Sequence, residues 1–260
     1  MTGCPKQMIH GPCGGVTLDG GCEVDARPCA FLDAAPPAVG PLAPQPVASS
    51  VAARQLLDIL ARRPLIVAGM PTESATPDAQ RAAAAALAGH VDAGLLGDAP
   101  WARLQLPPAL RAGIVAQEGL RVWGSLNCRD RNRVALESEL LGFEALGVGA
   151  VHCVTGDHPV LGDRADAQPV FDLDAPRLVA LAAGRGLVVS VAESPAAPPQ
   201  EARPRRAALK AAAGADVCFV NNSPFDVVAE FVASASALAV AAIVPSDASQ
   251  RTSSGAPAAS

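Results

Sequence analysis

The 260-residue sequence contains no tyrosine, and aromatic residues make up only 3% of it, which excludes a core of packed rings. Half of the residues are hydrophobic, so alanine, valine and leucine must build the core instead. No uninterrupted apolar stretch reaches the roughly 20 residues that span a bilayer, and residues 1–15 lack an apolar signal segment. We therefore expect a cytoplasmic protein without a membrane partner.

An excess of basic charge is also missing. The formal net charge is -5, and no run of Lys or Arg is dense enough to neutralise a phosphate backbone. This balance excludes nucleic acid as a partner.

Seven cysteines are present, an odd number that favours thiols, a metal site or a cluster over disulfides in a chain with no export signal. Four of them, Cys4, Cys13, Cys22 and Cys29, lie in a glycine-rich segment too poor in apolar residues to fold around its own core. We predict that their thiolates bind one zinc ion or an iron–sulfur cluster, which would also order the segment. Because CxxC pairs are missing, a glycine-rich loop with free thiols is the alternative.

Composition divides the chain into four parts. Residues 1–32 form the cysteine-rich module, and residues 33–49 form a Pro- and Ala-rich linker. Residues 50–245 form the main domain, and residues 246–260 lack periodicity and are predicted to be disordered.

In the main domain, short apolar runs alternate with amphipathic helical stretches, which is typical of repeated βα units. Seven strands are predicted, at residues 65–70, 91–98, 121–127, 149–157, 186–193, 215–222 and 238–245. Their near-continuous apolar character indicates a parallel sheet buried on both faces. A doubly wound open sheet is possible, but no GxGxxG turn follows the first strand. We therefore predict an α/β fold, a (β/α)8-like parallel barrel that is incomplete, with about seven strands.

Polar residues at the C-terminal ends of parallel barrel strands share one mouth. Such residues are Ser125, Asn127, Thr155, Gly156, Asp157, His158, Glu193, Asn221 and Asn222. For any one of them, ordinary contact with solvent is the alternative. His152, Cys153 and Cys218 lie within strands, and we interpret them as structural.

Four segments carry a resemblance to a known family. They are LNCRDRNR (126–133), GAVHCVTGDHPV (149–160), GDRADAQPVFDLD (162–174) and LKAAAGADVCFVNNSPFD (209–226). In this order they resemble the barrel of the methylenetetrahydrofolate reductase family, over about residues 60–245. The GPCGG and CEV motifs of residues 11–15 and 22–24 are similar to a cysteine module of the C-terminal-domain type associated with these reductases.

The resemblance implies an oxidoreductase of one-carbon metabolism. Hydride from NADH or NADPH would pass through FAD to 5,10-methylenetetrahydrofolate, giving 5-methyltetrahydrofolate. Asp157 would be the catalytic residue and would stabilise positive charge on the folate substrate. The family pattern further implies contacts to the flavin from Thr155, Gly156, Asp157, Asn127, Ala192 and Lys210, and a contact to the folate from Asn221.

The sequence departs from the family pattern at three points. Ala68 stands where the first strand carries a proton-donating glutamate, Ser125 stands in place of a histidine, and the eighth βα unit is missing. Two alternatives follow from these departures. One is a noncatalytic metal-binding accessory subunit that docks on a partner subunit of a reductase complex, and the other is a flavin-independent reductase. A homo-oligomer is also compatible with the sequence.

Overall fold

The computed structural model describes residues 3–33, 47–72, 76–98, 100–220 and 223–236, and the backbone of residues 243–245. Most of the predicted linker and all of the predicted tail lie outside the described residues.

A parallel sheet forms the centre of the molecule. Its strands are β1 Val67–Gly69, β2 Ala93–Leu95, β3 Val122–Asn127, β4 Ala150–Val154, β5 Val188–Glu193, β6 Val217–Val220 and β7 Ile243–Pro245. They pair in chain order from β1 to β7, and every pairing is parallel. Each predicted strand contains the observed one. The predicted α/β barrel-like fold is therefore confirmed, with seven strands in the described part of the chain.

Helices connect the strands and cover the outside of the sheet, except for the first helix, which precedes β1 and packs against the inner cluster. They are α1 Val51–Leu60, α2 Pro77–Leu87, α3 Pro108–Gln117, α4 Arg133–Ala145, α5 Ala175–Ala183, α6 Arg203–Ala212 and α7 Phe225–Ser236. The side chains of Ser50, Thr76 and Asn132 cap α1, α2 and α4 by accepting a backbone N–H from the first turn. None of the described helices has the length and hydropathy needed to cross a membrane.

The core lies on both sides of the sheet because side chains alternate along each strand. On β3, Leu126 points outward and packs with Leu140 and Phe143 of α4, whereas Trp123 points into the curve of the sheet. Inside that curve, Trp123 packs edge-on against Phe219. Two of the few aromatic residues therefore form the centre of the inner face.

Helix α1 closes the N-terminal end of the barrel. Its buried residues Ala53 and Leu56 join the inner cluster with Trp123. At the helix start, the backbone N–H of Ser50 donates to the carbonyl of Gly186, just before β5, at 2.8 Å. Ligands can therefore reach the inner face from the opposite, C-terminal end.

A substitution at Gly124 of β3 can test how α4 packs on the sheet. A Cβ atom at this position would lie 2.6 Å from the ring of Phe143. We expect Gly124→Ala to lower the free energy of unfolding by about 1–3 kcal/mol, because the added methyl group overpacks the core. The measurement is urea denaturation followed by circular dichroism.

Gly113→Ala in α3 is the matched control. Its Cβ would meet Leu146 at an ordinary contact distance of 3.5 Å. Alanine is preferred to glycine inside a helix, so this variant should gain about 0.5–1 kcal/mol. Equal stability of the two variants would contradict the observed packing.

Candidate functional site

The cysteine-rich module lies across the C-terminal ends of the strands. His10 Nδ1 is hydrogen-bonded to the carboxylate of Asp174, the residue before α5. Two arginines of α6 donate to the backbone of the module, Arg206 to the carbonyl of His10 at 2.8 Å and Arg203 to the carbonyl of Cys13 at 3.0 Å. The barrel therefore supplies much of the order that the module's own sequence cannot.

The glycines of the GPCGG motif permit this close docking. A Cβ atom on Gly11 would lie 3.2 Å from the guanidinium of Arg206, and one on Gly14 would lie 2.9 Å from Ser194 Oγ. Gly11 also has a φ of +102°, which side chains other than glycine rarely adopt. The motif is therefore explained by its contact with the barrel.

A cavity of about 350 Å³ lies between the module and the sheet. Its polar and charged lining from the barrel is Asp98, Ser125, His152, Cys153, Thr155, Asp157, Glu193, Ser194, Arg206 and Lys210. The module contributes Lys6, Cys13, Gly14, Gly15 and Glu23. The mouth expected from the strand ends is therefore present, and a separate part of the chain covers it.

Most of the residues predicted to bind a cofactor line this cavity: Thr155, Gly156, Asp157, Ala192 and Lys210. Asn127 does not. Its fully buried amide donates to the carbonyl of Asp98 and accepts the backbone N–H of Arg129, so it shapes the loop after β3. Asn221, predicted to contact the folate, lies outside the described residues.

Asp157 stands at the rim of the cavity. Its Oδ2 accepts the backbone N–H of Trp101 at 2.5 Å. The preceding Gly156 has a φ of +94°, and a Cβ there would lie 3.0 Å from Asn127. The backbone at position 156 therefore requires glycine, and the carboxylate of the next residue, Asp157, lines the cavity.

The carboxylate of Glu193 ends β5 and lies buried among the cations of α6. Lys210 Nζ donates to it at 2.6 Å and Arg203 at 3.1 Å, whereas Arg206 Nε lies 3.7 Å away. Burial alone would raise the pKa of Glu193, but Lys210, Arg206 and Arg203 together lower it to about 2. Glu193 is therefore ionised at neutral pH and fixes α6 against the sheet.

His152 reaches the cavity from the inner face of the sheet. Its Nδ1 lies 2.9 Å from Ser190 Oγ, which accepts the indole N–H of Trp123. Burial, reinforced by Lys210, lowers the pKa of His152 to about 4, so the imidazole is neutral at pH 7. The Ser190 hydroxyl also lies 3.4 Å from the carbonyl of Val151, to which it can donate, so Trp123, Ser190, His152 and Val151 form one buried hydrogen-bonded chain.

Sequence reasoning missed several of these residues. The sequence pattern indicates a structural role for His152 and Cys153, yet both line the cavity. Burial raises the pKa of the Cys153 thiol, which makes it a poor nucleophile. Lys6 and Arg206 gave no local signal of their own, although Arg203, Arg206 and Lys210 share one face of a helix by spacing.

The four module cysteines converge on a second, small cavity of about 20 Å³. None of them forms a disulfide. Burial, with smaller contributions from the neighbouring thiols, raises the pKa of Cys4 and Cys29. Among the residues that the structure describes, however, no three His, Cys, Asp or Glu side chains are already arranged to hold a metal ion. The thiols therefore share a cavity without forming a ligand set.

The sequence comparison supports the resemblance of the module alone. Residues 1–36 match a family described as "Methylene-tetrahydrofolate reductase C terminal". No curated protein matches the chain at a significant level.

Solved structures share the barrel. One is 2,3-dimethylmalate lyase of the PEP mutase/isocitrate lyase superfamily, with 16% identity over 76% of this chain and 81% of that chain and a TM-score of 0.51. Another is oxaloacetate acetylhydrolase, with 13% identity over 81% of this chain and 82% of that chain and a TM-score of 0.51. At these identities the likeness shows the fold.

The predicted methylenetetrahydrofolate reductase activity is wrong, because the structural neighbours are lyases and hydrolases rather than flavin-dependent reductases. The predicted cofactors FAD and NADH or NADPH are corrected on the same finding. The cavity gives a physical reason, since about 350 Å³ lies near the lower end of the range for small-molecule sites. Lys210, which the resemblance placed at the flavin, donates to the buried carboxylate of Glu193 in this structure. The flavin-independent reductase alternative is corrected on the same finding.

Glu193→Gln tests the buried ion cluster. We expect a loss of about 3–5 kcal/mol in the free energy of unfolding at pH 7, because Lys210 and Arg203 would keep buried charges without a counterion. The wild-type contribution is complete above the ordinary pKa of 4.5 and is lost as the pH falls through about 2. The variant should therefore show a weaker loss of stability between pH 4.5 and 2.

Glu144→Gln is the control, since Glu144 pairs with Arg185 on the surface. A half-exposed pair of this kind contributes about 0–1 kcal/mol. Urea denaturation at pH 7 and pH 3 makes the comparison. Similar losses in both variants would show that Glu193 does not hold α6.

Proposed function

We propose that the barrel is an enzyme of the lyase or hydrolase class that acts on a small organic acid held in the covered cavity. The observation that supports this proposal is the environment of Arg206. Its Nε has no hydrogen-bond partner, although the residue is only 5% exposed and lines the cavity. A buried donor without an acceptor costs free energy, and a ligand carboxylate would satisfy it.

The neighbouring groups cannot satisfy this donor themselves. Arg206 Nε lies 3.7 Å from Glu193, which is too far for a hydrogen bond, while Arg203 and Lys210 donate to that carboxylate at shorter distances. The NH1 group of Arg206 is used by the carbonyl of His10. The Nε–H of Arg206 therefore has no acceptor among the residues that the structure describes.

The proposed ligand is an acid with two anionic groups, one for each of two cations on opposite sides of the cavity, whose lining also holds the carboxylates of Asp98, Asp157, Glu193 and Glu23. Arg206 comes from the barrel and Lys6 from the module, and both are buried and line the cavity. Two of the structural neighbours are named for dimethylmalate and for oxaloacetate, which each carry two carboxylates. A small dicarboxylate can be held between the two cations.

Asp157 and His152 are the groups suited to proton transfer. Asp157 is retained as the proposed catalytic residue, now as a general acid–base group rather than as a partner of folate. The neutral imidazole of His152 can donate a hydrogen bond to an oxygen of the substrate. Cys153 takes no part as a nucleophile because its thiol stays protonated.

The test is binding and turnover of small dicarboxylates, starting with L-malate and oxaloacetate, by the full chain. Calorimetry gives affinity, and proton NMR detects products. Arg206→Gln should weaken binding about ten- to one-hundred-fold, since a hydrogen bond to a charged group contributes about 1.5–3 kcal/mol. Asp157→Asn should lower kcat and leave binding largely intact.

Arg205→Gln is the matched control, because Arg205 is exposed on the same helix and should keep wild-type affinity. Arg206→Lys separates loss of the N–H geometry from loss of charge, and circular dichroism checks folding. If no dicarboxylate binds, or if Arg205→Gln weakens binding as much as Arg206→Gln, the proposal is wrong.

A second proposal concerns the module, for which the shared cavity of Cys4, Cys13, Cys22 and Cys29 is the supporting observation. We propose that these residues bind one zinc ion. Four cysteine thiolates are a usual ligand set for a structural zinc ion. Binding requires the thiols to lose their protons and to move closer to one centre.

Metal analysis of the full chain after incubation with zinc tests this proposal. We expect one zinc ion per chain, and Cys29→Ser should lose it because four-coordinate sites need every thiolate. Cys128→Ala, at a buried cysteine of the barrel, should keep it. Equal zinc content in the two variants would exclude the module as the site.

A further inference from the structure

The sequence contains two lysines, Lys6 and Lys210, and both are buried and line the barrel cavity. Lysine usually lies on the surface, because its charged amine is strongly hydrated. The surroundings of the two side chains differ. Lys6 pairs with Glu23, whereas Lys210 shares the carboxylate of Glu193 with two arginines of the same helix. The excess of positive charge therefore lies around Lys210.

This local charge makes Lys210 the cation of the cluster that can give up a proton. Its Nζ donates to Glu193 Oε2 and to the carbonyl of Ala192, both at 2.6 Å. Arg203 and Arg206 lie beside the same carboxylate, and a guanidinium keeps its proton in proteins. Burial lowers the pKa of Lys210, and Arg206 lowers it further against the opposing effect of Glu193. A desolvated lysine next to another cation is an activated amine nucleophile.

The groups proposed to bind a ligand surround the end of this side chain. Arg206 Nε, the donor proposed for a ligand carboxylate, lies 3.7 Å from Glu193 Oε1. Lys210 Nζ lies 2.6 Å from the other oxygen of the same carboxylate. His152, on the neighbouring strand β4, is close enough for Lys210 to lower its pKa after the larger effect of burial. A ligand carboxylate at Arg206 would therefore hold its adjoining carbon atom close to Nζ.

We infer that Lys210 forms an imine with the ketone of a 2-oxo acid bound in the barrel cavity, an inference that rests on the proposed function and names its substrate class. In a 2-oxo acid the ketone carbon is bonded directly to the carboxylate carbon. The carboxylate binds Arg206, and the ketone carbon meets Lys210. A second carboxylate, as in oxaloacetate, faces Lys6 across the cavity.

Imine formation leaves the charge of the site unchanged. The ammonium of Lys210 gives one proton to Glu193 Oε2, to which it already donates. The nitrogen lone pair then forms a bond to the ketone carbon, and the π electrons of the carbonyl move to its oxygen. That oxygen receives one proton from the nitrogen and one from Glu193, and it leaves as water. The protonated imine carries the same single positive charge as the ammonium, so the ionised Glu193 keeps its counterion.

The covered cavity suits such an intermediate. The module lies over the strand ends, and enclosure protects a reactive intermediate from hydrolysis by bulk water. A protonated imine withdraws electrons from the neighbouring carbon–carbon bond, which is what a lyase requires to break that bond. Lys210 is therefore a catalytic residue of the proposed reaction, with Glu193 as its proton acceptor.

Reduction with sodium borohydride tests the inference, because it converts an imine to a stable secondary amine. The full chain is mixed with oxaloacetate or pyruvate, reduced, digested and mapped by mass spectrometry. We expect one adduct per chain, on Lys210. Lys6, the other lysine of the sequence, is the internal reference and should stay unmodified.

L-malate is the matched ligand control, since it has a hydroxyl group in place of the ketone. It should give no adduct, and an excess of it should protect Lys210 from oxaloacetate. Lys210→Arg keeps a positive charge beside Glu193 and should lose the adduct, with circular dichroism to check folding. Arg205→Gln, on the exposed side of the same helix, should retain the adduct.

The outcomes separate this inference from the proposed function. Oxaloacetate that binds by calorimetry and gives no adduct overturns the imine and leaves the proposed function standing. If neither acid binds, both are wrong. Equal labelling of Lys6 and Lys210, or labelling that bound L-malate does not reduce, also overturns the imine. The map of the wild-type chain decides the matter if Lys210→Arg does not fold.

Discussion

The buried carboxylate of Glu193 is the constraint on which the rest of the site depends. An ionised group at the end of β5 has to be paired, and Lys210 and Arg203 pair with it from one face of α6. This fixes the helix in rotation and position. Arg203 then reaches the backbone of Cys13, and Arg206 reaches that of His10. One buried charge therefore orders a helix, and the helix orders the module that covers the barrel.

Coverage by the module changes the environment of the polar groups at the strand ends. In an uncovered barrel of parallel strands, polar groups at the strand ends face water. Here Lys6 and Glu23 enclose the same groups in a cavity of about 350 Å³. Enclosure strengthens each electrostatic contact and limits the ligand to a small molecule. The module therefore forms one wall of the cavity, and its glycines permit the close contact with the strand ends.

The strands could be predicted because seven apolar runs at βα spacing are local signals, and every predicted strand contains an observed one. The position of Asp157 at the mouth followed from the same pattern. The contact between His10 and Asp174 joins residues 164 positions apart, and no local pattern indicates it. The resemblance of strand-end motifs led to the wrong chemistry, because such motifs place polar groups at a mouth without determining the ligand. The cations of α6 were the available signal, since Arg203, Arg206 and Lys210 repeat on one helix face.

A crystal structure of the full chain grown with L-malate tests most directly whether the covered cavity is the ligand site. A carboxylate of malate should lie beneath the module, about 2.7–3.2 Å from Arg206 Nε. Its second carboxylate should face Lys6. Malate bound elsewhere, or a cavity that holds only solvent at saturating malate, would contradict the central claim.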